Sequence, residues 1–454
     1  MKKIILLAVI ILTTLSSQAQ IAPVYTITLD KLFDSLCKKH NFKGASASIV
    51  VPNEGIWERT YGVSHGTTPI TKNMCMGIGS NTKTFTAVMM LKLQEKGLLD
   101  LDDTIGKWVQ HPNIDGKIPI RELLNHTSGI YSYTDNNDIN NLITPPYTQI
   151  YPIDRFLTLV KPSSVFGGSF NYSNTNYAIA GIIISDVTGK ALHTAFRDEL
   201  LDPYGFDDTY FFPYEMPPAN SIPHAWSSVL NSGPAMQDMD VVHNYSHNAY
   251  LSLAGAAGCM MSTAKDNAKF WNLLVEGKLL NSASMTEMQT LVQVTLSQGY
   301  GLGIFSRSMN NRDIITHGGT LFGFINENLA DKTSGVSISL LTNQDSVVNS
   351  IILNGIIREL HKVTIQYTDV ATIDKKKNIT VYPNPANDVL NIKLDYNGAA
   401  VLQLYDVAGK QMQIQSISKG DNRISLSDLT NGTYFLNITD KGVPVHKQTI
   451  TILK

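Results

Sequence analysis

Residues 77–97 read Gly-Ile-Gly-Ser-Asn-Thr-Lys-Thr-Phe-Thr-Ala-Val-Met-Met-Leu-Lys-Leu-Gln-Glu-Lys-Gly, with Ser80 and Lys83 three residues apart. The spacing predicts a long helix from Ser80 to Lys96, with Gly97 as its C′ residue. An i, i+3 pair lies on one helix face, so the lysine amine reaches the serine hydroxyl. Burial that lowers the lysine pKa leaves a neutral amine able to take the serine proton. A serine at a helix start also gains from the dipole, which favours developing negative charge.

Four Ser-x-x-Lys matches occur in the chain. Ser35/Lys38 falls in an amphipathic helix and Ser416/Lys419 in a β-rich tail. Ser262/Lys265 reads as a helix start, with Ser262 or Thr263 as N-cap. Only Ser80 joins a glycine-flanked approach to a long apolar-faced helix, which makes it the candidate nucleophile.

Outward from this stretch, residues 24–364 read as mixed α and β. Asp30–His40 has helical spacing. Ala45–Val51 and Ile56–Tyr61 are strand-like runs around the turn Pro52-Asn53-Glu54-Gly55. Asn176–Val187 predicts a second helix. Tyr300–Phe305, Phe322–Asn328 and Val336–Thr342 read as strands, and Ser346–Leu360 as a closing helix. The order implies a sheet built from both ends of the domain, with a mostly helical insertion between. Residues 365–378 are polar, end in Asp374-Lys375-Lys376-Lys377, and read as a linker. Residues 379–454 alternate with period two around turns at Ala408-Gly409-Lys410 and Asn431-Gly432, which predicts a small all-β sandwich.

The 454 residues are 43% apolar and 16% charged, which excludes a disordered chain and argues against a polytopic membrane protein. Thirty-six basic and 38 acidic side chains give a net charge of −2, so no global pull toward nucleic acid follows. The three cysteines, Cys37, Cys75 and Cys259, form no disulfide scaffold and no Cys-x-x-Cys pair. Cys75, five residues before Ser80, is either a reactive thiol near the site or a small buried apolar residue. Lys2, Lys3 and the apolar run Ile4–Leu15 form a signal peptide over residues 1–19, with cleavage expected after Ala19. No other apolar run reaches 18 residues, so no membrane span is expected in the mature chain.

Three further elements carry candidate chemistry. Tyr172-Ser173-Asn174 follows a glycine-bearing stretch: a phenol relays protons, and an amide bonds a substrate carbonyl or a lysine. In His317-Gly318-Gly319-Thr320 the glycines admit close approach of a ligand, while the histidine carries charge, relays a proton, or is simply a turn residue. Asn125-His126-Thr127-Ser128-Gly129 reads as a structural loop, with a second serine site as the alternative.

Taken together, Ser-x-x-Lys, Tyr-x-Asn and His-x-Gly in this order resemble the penicillin-binding serine hydrolases: class C β-lactamases, D-alanyl-D-alanine carboxypeptidases and related esterases. Residues 120–129, Ala254-Gly255-Ala256-Ala257-Gly258 and Tyr300-Gly301-Leu302-Gly303 are also similar to that family. The resemblance implies a β-lactamase-like antiparallel sheet flanked by helices. It further implies Ser80 as the acylated nucleophile, with Lys83 and Tyr172 as the pair that moves its proton. Asn174, His317, Gly319 and Thr320 would bind substrate, with His317 in place of a basic residue, and the backbone N–H groups of Ser80 and Thr320 would form the oxyanion hole. No metal or cofactor is implied. The substrate would be a small-molecule or peptide acyl group, peptidoglycan stem peptides among them. His-Gly-Gly in place of Lys-Thr-Gly, and Tyr-Ser-Asn in place of Tyr-Ala-Asn, lean toward the carboxypeptidase and esterase branches. A catalytically silent binding module is the remaining alternative. Residues 381–386, 405–410 and 429–434 are similar to the C-terminal sorting domain of type IX secretion, which implies that residues 379–454 engage the secretion machinery and that the protein is secreted or held at the cell surface.

Overall fold

The computed structural model describes residues 23–454 except 166, 229–235, 346, 374–378, 407–409 and 441–442. The expected signal peptide therefore lies outside the described residues, as does part of the turn at 408–410.

The two ends of the segment 24–364 meet in one antiparallel sheet. Gly44–Val51 pairs on one side with Gly55–His65 and on the other with Ser337–Thr342, Ala45 lying opposite Thr342. The sheet continues through Phe324–Asp331, Arg312–Thr316, Phe305–Met309 and Gln298–Tyr300 to the edge strand Val292–Thr295. Alternation along Gly44–Val51 separates two environments. Ala45, Ala47, Ile49 and Val51 pack with Leu29 and Phe33 of the helix Pro23–Lys39 and with Leu353 and Ile357 of the helix Val347–Ile373. Ser46 and Ser48 are buried on the opposite face. On that face the helix Ala264–Val275 is tied to the sheet by Asn267 and by the bond from Ser337 Oγ to the Ala268 carbonyl. The insertion holds the helices Thr82–Glu95 and Asn174–Thr188 and a run of short 3₁₀ turns between residues 133 and 159.

Three expectations are corrected. The strand expected over Tyr300–Phe305 is split at Gly301-Leu302-Gly303. Gly303 has φ +72°, and a Cβ on Gly301 would meet the Met288 carbonyl at 2.1 Å. The helix expected to start at Ser80 begins at Thr82, because Gly79–Asn81 forms a 3₁₀ turn ahead of it. The closing helix runs to Ile373, so the first nine residues of the expected linker are helical. Tyr25 explains the extension: its hydroxyl donates to Thr364 Oγ1 at 2.7 Å and its ring stacks on Tyr367 at 4.2 Å. No helix among the described residues is long and apolar enough to cross a membrane. The C-terminal strands Ile379–Tyr382, Val389–Tyr405, Gln411–Ser425, Gly432–Asp440 and Val443–Ile452 form an all-β unit around Leu390, Ile392, Leu402, Leu404 and Leu436.

One buried pair ties the sheet to the closing helix. His361 Nε2 lies 3.1 Å from Asp331 Oδ2, both residues being fully buried. Burial pushes the Asp331 carboxyl up, but the bonds from His361 and from the Thr333 and Ser334 N–H groups prevail and hold it at about 2. A depressed carboxylate stabilises the fold above its unfolded value near 3.8, and that contribution is lost as pH falls toward 2. Urea midpoints at pH 7, 4 and 2.5 are expected to fall less steeply with acid in His361→Leu than in the wild type. Parallel acid losses would exclude the pair as their source.

Candidate active site

Gly79 and Gly319 bring two segments together. Gly79 has φ +49°, and a Cβ there would stand 2.9 Å from the Thr320 nitrogen. A Cβ on Gly319 would stand 1.9 Å from the Ile78 carbonyl oxygen. The glycines of His317-Gly318-Gly319 thus admit the approach of protein atoms, not of a ligand as the sequence suggested. Gly319–Leu321 and Phe324–Asp331 form a two-residue hairpin in which Thr320 faces Ile325. Hydrogen-bonded and open pairs alternate along such a ladder. With Leu321 and Phe324 closing the turn, the Thr320 N–H points away from Ile325, toward the side where Gly79 and Ser80 lie.

A chain of buried asparagines fixes this juxtaposition. Asn81 Nδ2 donates to Asn267 Oδ1 at 2.8 Å, and Asn267 Nδ2 to Asn328 Oδ1 at 2.8 Å. Asn328 Nδ2 donates to the His317 carbonyl at 3.0 Å and to Asn326 Oδ1 at 2.8 Å. Asn326 Nδ2 returns to the Ile78 carbonyl at 2.9 Å. The circuit locks the Ser80 turn to the His317 strand.

Lys83 is fully buried, with Nζ 3.0 Å from Ser80 Oγ and donating to the Ala257 carbonyl at 2.7 Å. Burial holds its amine well below the ordinary lysine range. The Ala257 carbonyl is presented by the turn Gly255–Ala257, whose Ala256 carbonyl takes the Thr86 hydroxyl. The Tyr172 phenol lies beside Ser80, and Lys83 Nζ lies 4.9 Å from its ring centre. Burial raises the Tyr172 phenol, so it stays protonated. Asn174 opens the helix Asn174–Thr188; its Nδ2 donates to Thr134 Oγ1 at 2.9 Å and its N–H to Ser132 Oγ at 3.1 Å. Ser80, Tyr172 and Asn174 are partly exposed and Thr320 is exposed, whereas Lys83, His317 and Gly319 are buried. Lys83 and Tyr172 thus stand beside the partly exposed Ser80, and Gly319 and Thr320 lie against the neighbouring Gly79.

His317 departs from expectation. It is 2% exposed, with Nδ1 2.7 Å from the Gly318 carbonyl and Nε2 3.2 Å from the Tyr300 hydroxyl. One nitrogen donates and the other accepts, as in neutral imidazole. Burial pushes it down to about 3. It is therefore not a basic residue at working pH.

The other candidates resolve as structural. Thr263 caps the helix Ala264–Val275 by accepting the Asp266 N–H at 3.3 Å. Ser128 Oγ donates to Asn176 Oδ1 at 2.7 Å and is buried. Cys75 is buried, and burial with Asp208 and Asp266 nearby pushes its thiol up to about 12, so it is no reactive thiolate. Sequence reasoning gives no role to Ala257, Tyr300 or the four asparagines. Their repeat around the Ser80 and His317 segments appears only once the chain is folded.

Known proteins agree with this architecture. Residues 29–361 match the Beta-lactamase family, and residues 380–452 match the secretion system C-terminal sorting domain, which implies a secreted or cell-surface protein. Penicillin-binding protein 4* of Bacillus subtilis (strain 168) is 24% identical over 311 residues, covering 65% of this chain and 67% of that protein. Protein flp of Staphylococcus aureus (strain N315) is 26% identical over 335 residues, covering 70% and 63%. The chain thus spans about two thirds of the length of these curated relatives. The D-amino acid amidase of Ochrobactrum anthropi SV3, solved with L-phenylalanine amide, has the same fold: TM-score 0.67 at 23% identity, over 76% of this chain and 99% of that one. A D-stereospecific amidohydrolase from a Streptomyces species is 30% identical with a TM-score of 0.59, over 71% of this chain and 94% of that one. With the serine, its buried lysine and the surrounding sheet in place, the chain belongs to the Beta-lactamase family of serine hydrolases and ends in a secretion sorting domain.

Proposed function

We propose that the protein is an exported acyl hydrolase that works through a Ser80 acyl-enzyme on uncharged amide or ester substrates. The observation that carries the reading is the buried Lys83 amine, 3.0 Å from Ser80 Oγ and anchored on the Ala257 carbonyl. A neutral amine in that position takes the serine proton as Ser80 attacks the acyl carbon. The carbonyl oxygen then develops charge between the N–H groups of Ser80 and Thr320, two preorganised donors that together supply several kcal/mol. Tyr172 passes the proton to the departing amine or alcohol. Water, deprotonated by the same pair, releases the acid. Asn174 borders the acyl group.

The substrate class follows from His317. Penicillins and peptides ending in D-alanine carry a carboxylate that needs a cation. His317 is neutral with both ring nitrogens engaged inside the protein, and Gly318 has no hydroxyl. Esters and amides without a free carboxylate suit this site better than stem peptides or β-lactams. Residues 1–19 and 379–454 serve export, and residues 24–364 carry the chemistry.

The test is an intact-mass time course beside steady-state assays, with Ser80→Ala as control. Ser80-dependent turnover is expected on p-nitrophenyl esters and on the two enantiomers of N-acetylphenylalanine amide, which is uncharged, with benzylpenicillin acylating at least tenfold more slowly. A penicillin adduct that forms faster than esters turn over would overturn the preference for uncharged substrates. A folded enzyme inert toward all of them would leave a binding module.

A further inference from the structure

His126 is fully buried and has φ +61°, a left-handed conformation that is uncommon outside glycine and in which asparagine, aspartate and histidine are enriched. The turn has a visible consequence. The His126 carbonyl accepts the Asn171 N–H at 2.7 Å, and its ring Nδ1 lies 3.2 Å from the Ser173 N–H and 3.2 Å from Asn176 Nδ2. One residue therefore holds the backbone on both sides of Tyr172. The next carbonyl, Thr127, accepts the Gly168 N–H at 2.8 Å, so the same turn braces the approach to Tyr172. The imidazole also lies against the Tyr172 ring, with centres 4.2 Å apart, and is walled by Tyr177 and Tyr300 at 5.2 and 5.0 Å.

Its Nδ1 accepts the Ser173 N–H, so the ring proton sits on Nε2. That atom is buried with no hydrogen-bond partner. Leaving such a donor unpaired costs about 1–3 kcal/mol. The ring accepts the cost because Nδ1 stands where the Ser173 N–H needs an acceptor.

We infer that His126 is a positioning residue for Tyr172, fixing the phenol against Ser80 by gripping the backbone at Asn171 and Ser173. The inference rests on the proposed acyl transfer through Ser80, Lys83 and Tyr172. A misplacement of about 1 Å in a proton-relaying group costs up to about 100-fold in rate.

Asparagine is the conservative variant: its Oδ1 occupies the place of Nδ1 and it tolerates the left-handed backbone. Leucine fills the space and accepts nothing. With a p-nitrophenyl ester, His126→Leu is expected to lower kcat about 100-fold with KM within threefold, and His126→Asn to stay within fivefold of wild type. In a Tyr172→Phe background His126→Leu should cost no more than a further twofold, because its effect runs through the phenol. If His126→Leu does not fold, His126→Gln replaces it, since it moves the acceptor one methylene from the Ser173 N–H; a loss of at least tenfold is then expected. Equal activity of the asparagine and leucine variants, full additivity with Tyr172→Phe, or wild-type activity in His126→Gln would overturn the assignment. Failure of the underlying reading is distinct: the wild type itself then shows no Ser80-dependent turnover, and the claim for His126 falls with it.

Discussion

Lys83→Met is expected to lower the acylation rate with a p-nitrophenyl ester about 10⁴-fold, the upper range for a positioned general base. The variant keeps the length and packing of the side chain and leaves the Ala257 carbonyl without its donor. That loss costs about 1–3 kcal/mol, offset in part by removing an amine from a dry site. The fold should survive, which a thermal melt checks. Lys83→Arg sharpens the point. Guanidinium stays charged at any working pH and cannot take a proton. If the site needs a base, arginine serves no better than methionine. If it needs only positive charge beside Ser80, arginine retains a sizeable share of the rate, and more than a tenth of wild-type acylation would sink the general-base role.

The same burial predicts the shape of the pH profile. A base with a lowered pKa is active above that value and loses activity as pH falls through it. Lys83 therefore sets an acid limb in the wild type. His317, neutral down to about 3, adds no limb near neutrality. Tyr172, held above its ordinary range, stays protonated across the whole working window and limits nothing there. The two buried imidazoles and the buried amine thus share one device: burial favours the uncharged form of all three.

The chemistry was legible where it is local. Ser80 and Lys83 lie one turn apart in sequence and in space, and the glycines beside them announce a close approach. The identity of what approaches was not legible, because Gly319 faces the Ile78 carbonyl across 241 residues of chain. The two-ended sheet was legible because strand-like runs stand at both ends of the segment 24–364 with a mostly helical stretch between them. The closing helix was read short because its last turns look polar. What holds them is Tyr25, bonded to a threonine 339 residues away. His126 was quoted and set aside as loop chemistry. Its value lies in a backbone turn and in the Ser173 N–H, and neither leaves a mark on residues 125–129. Whether His317 carries charge, relays a proton or only shapes a turn is not legible, since charge in a sequence is counted by residue type and burial is not.

Asn328→Leu is expected to destabilise the hydrolase domain by about 3–5 kcal/mol, among the largest effects of any single change here. Leucine matches the volume and removes every bond. The His317 carbonyl and Asn326 Oδ1 lose their donor, and Asn267 Nδ2 loses an acceptor. Each buried group left unpaired costs about 1–3 kcal/mol. Asn328→Asp is the control for shape. Its carboxylate faces the His317 carbonyl and Asn326 Oδ1, so it should be no more stable than leucine although no atom count has changed. Urea unfolding with an unchanged slope measures both. The functional consequence follows from the circuit. Asn326 reaches the Ile78 carbonyl, and Asn81 flanks Ser80, so loosening Asn328 frees the Gly319–Thr320 strand from the serine turn. The fraction still folded should acylate at least tenfold more slowly, because two N–H donors a few tenths of an ångström out of place no longer converge on one oxyanion. A variant that is within 1 kcal/mol of wild type would mean that water or a shifted side chain satisfies the network. A variant that is unstable but catalytically normal when folded would mean that the asparagines hold the domain together without aligning the two motifs.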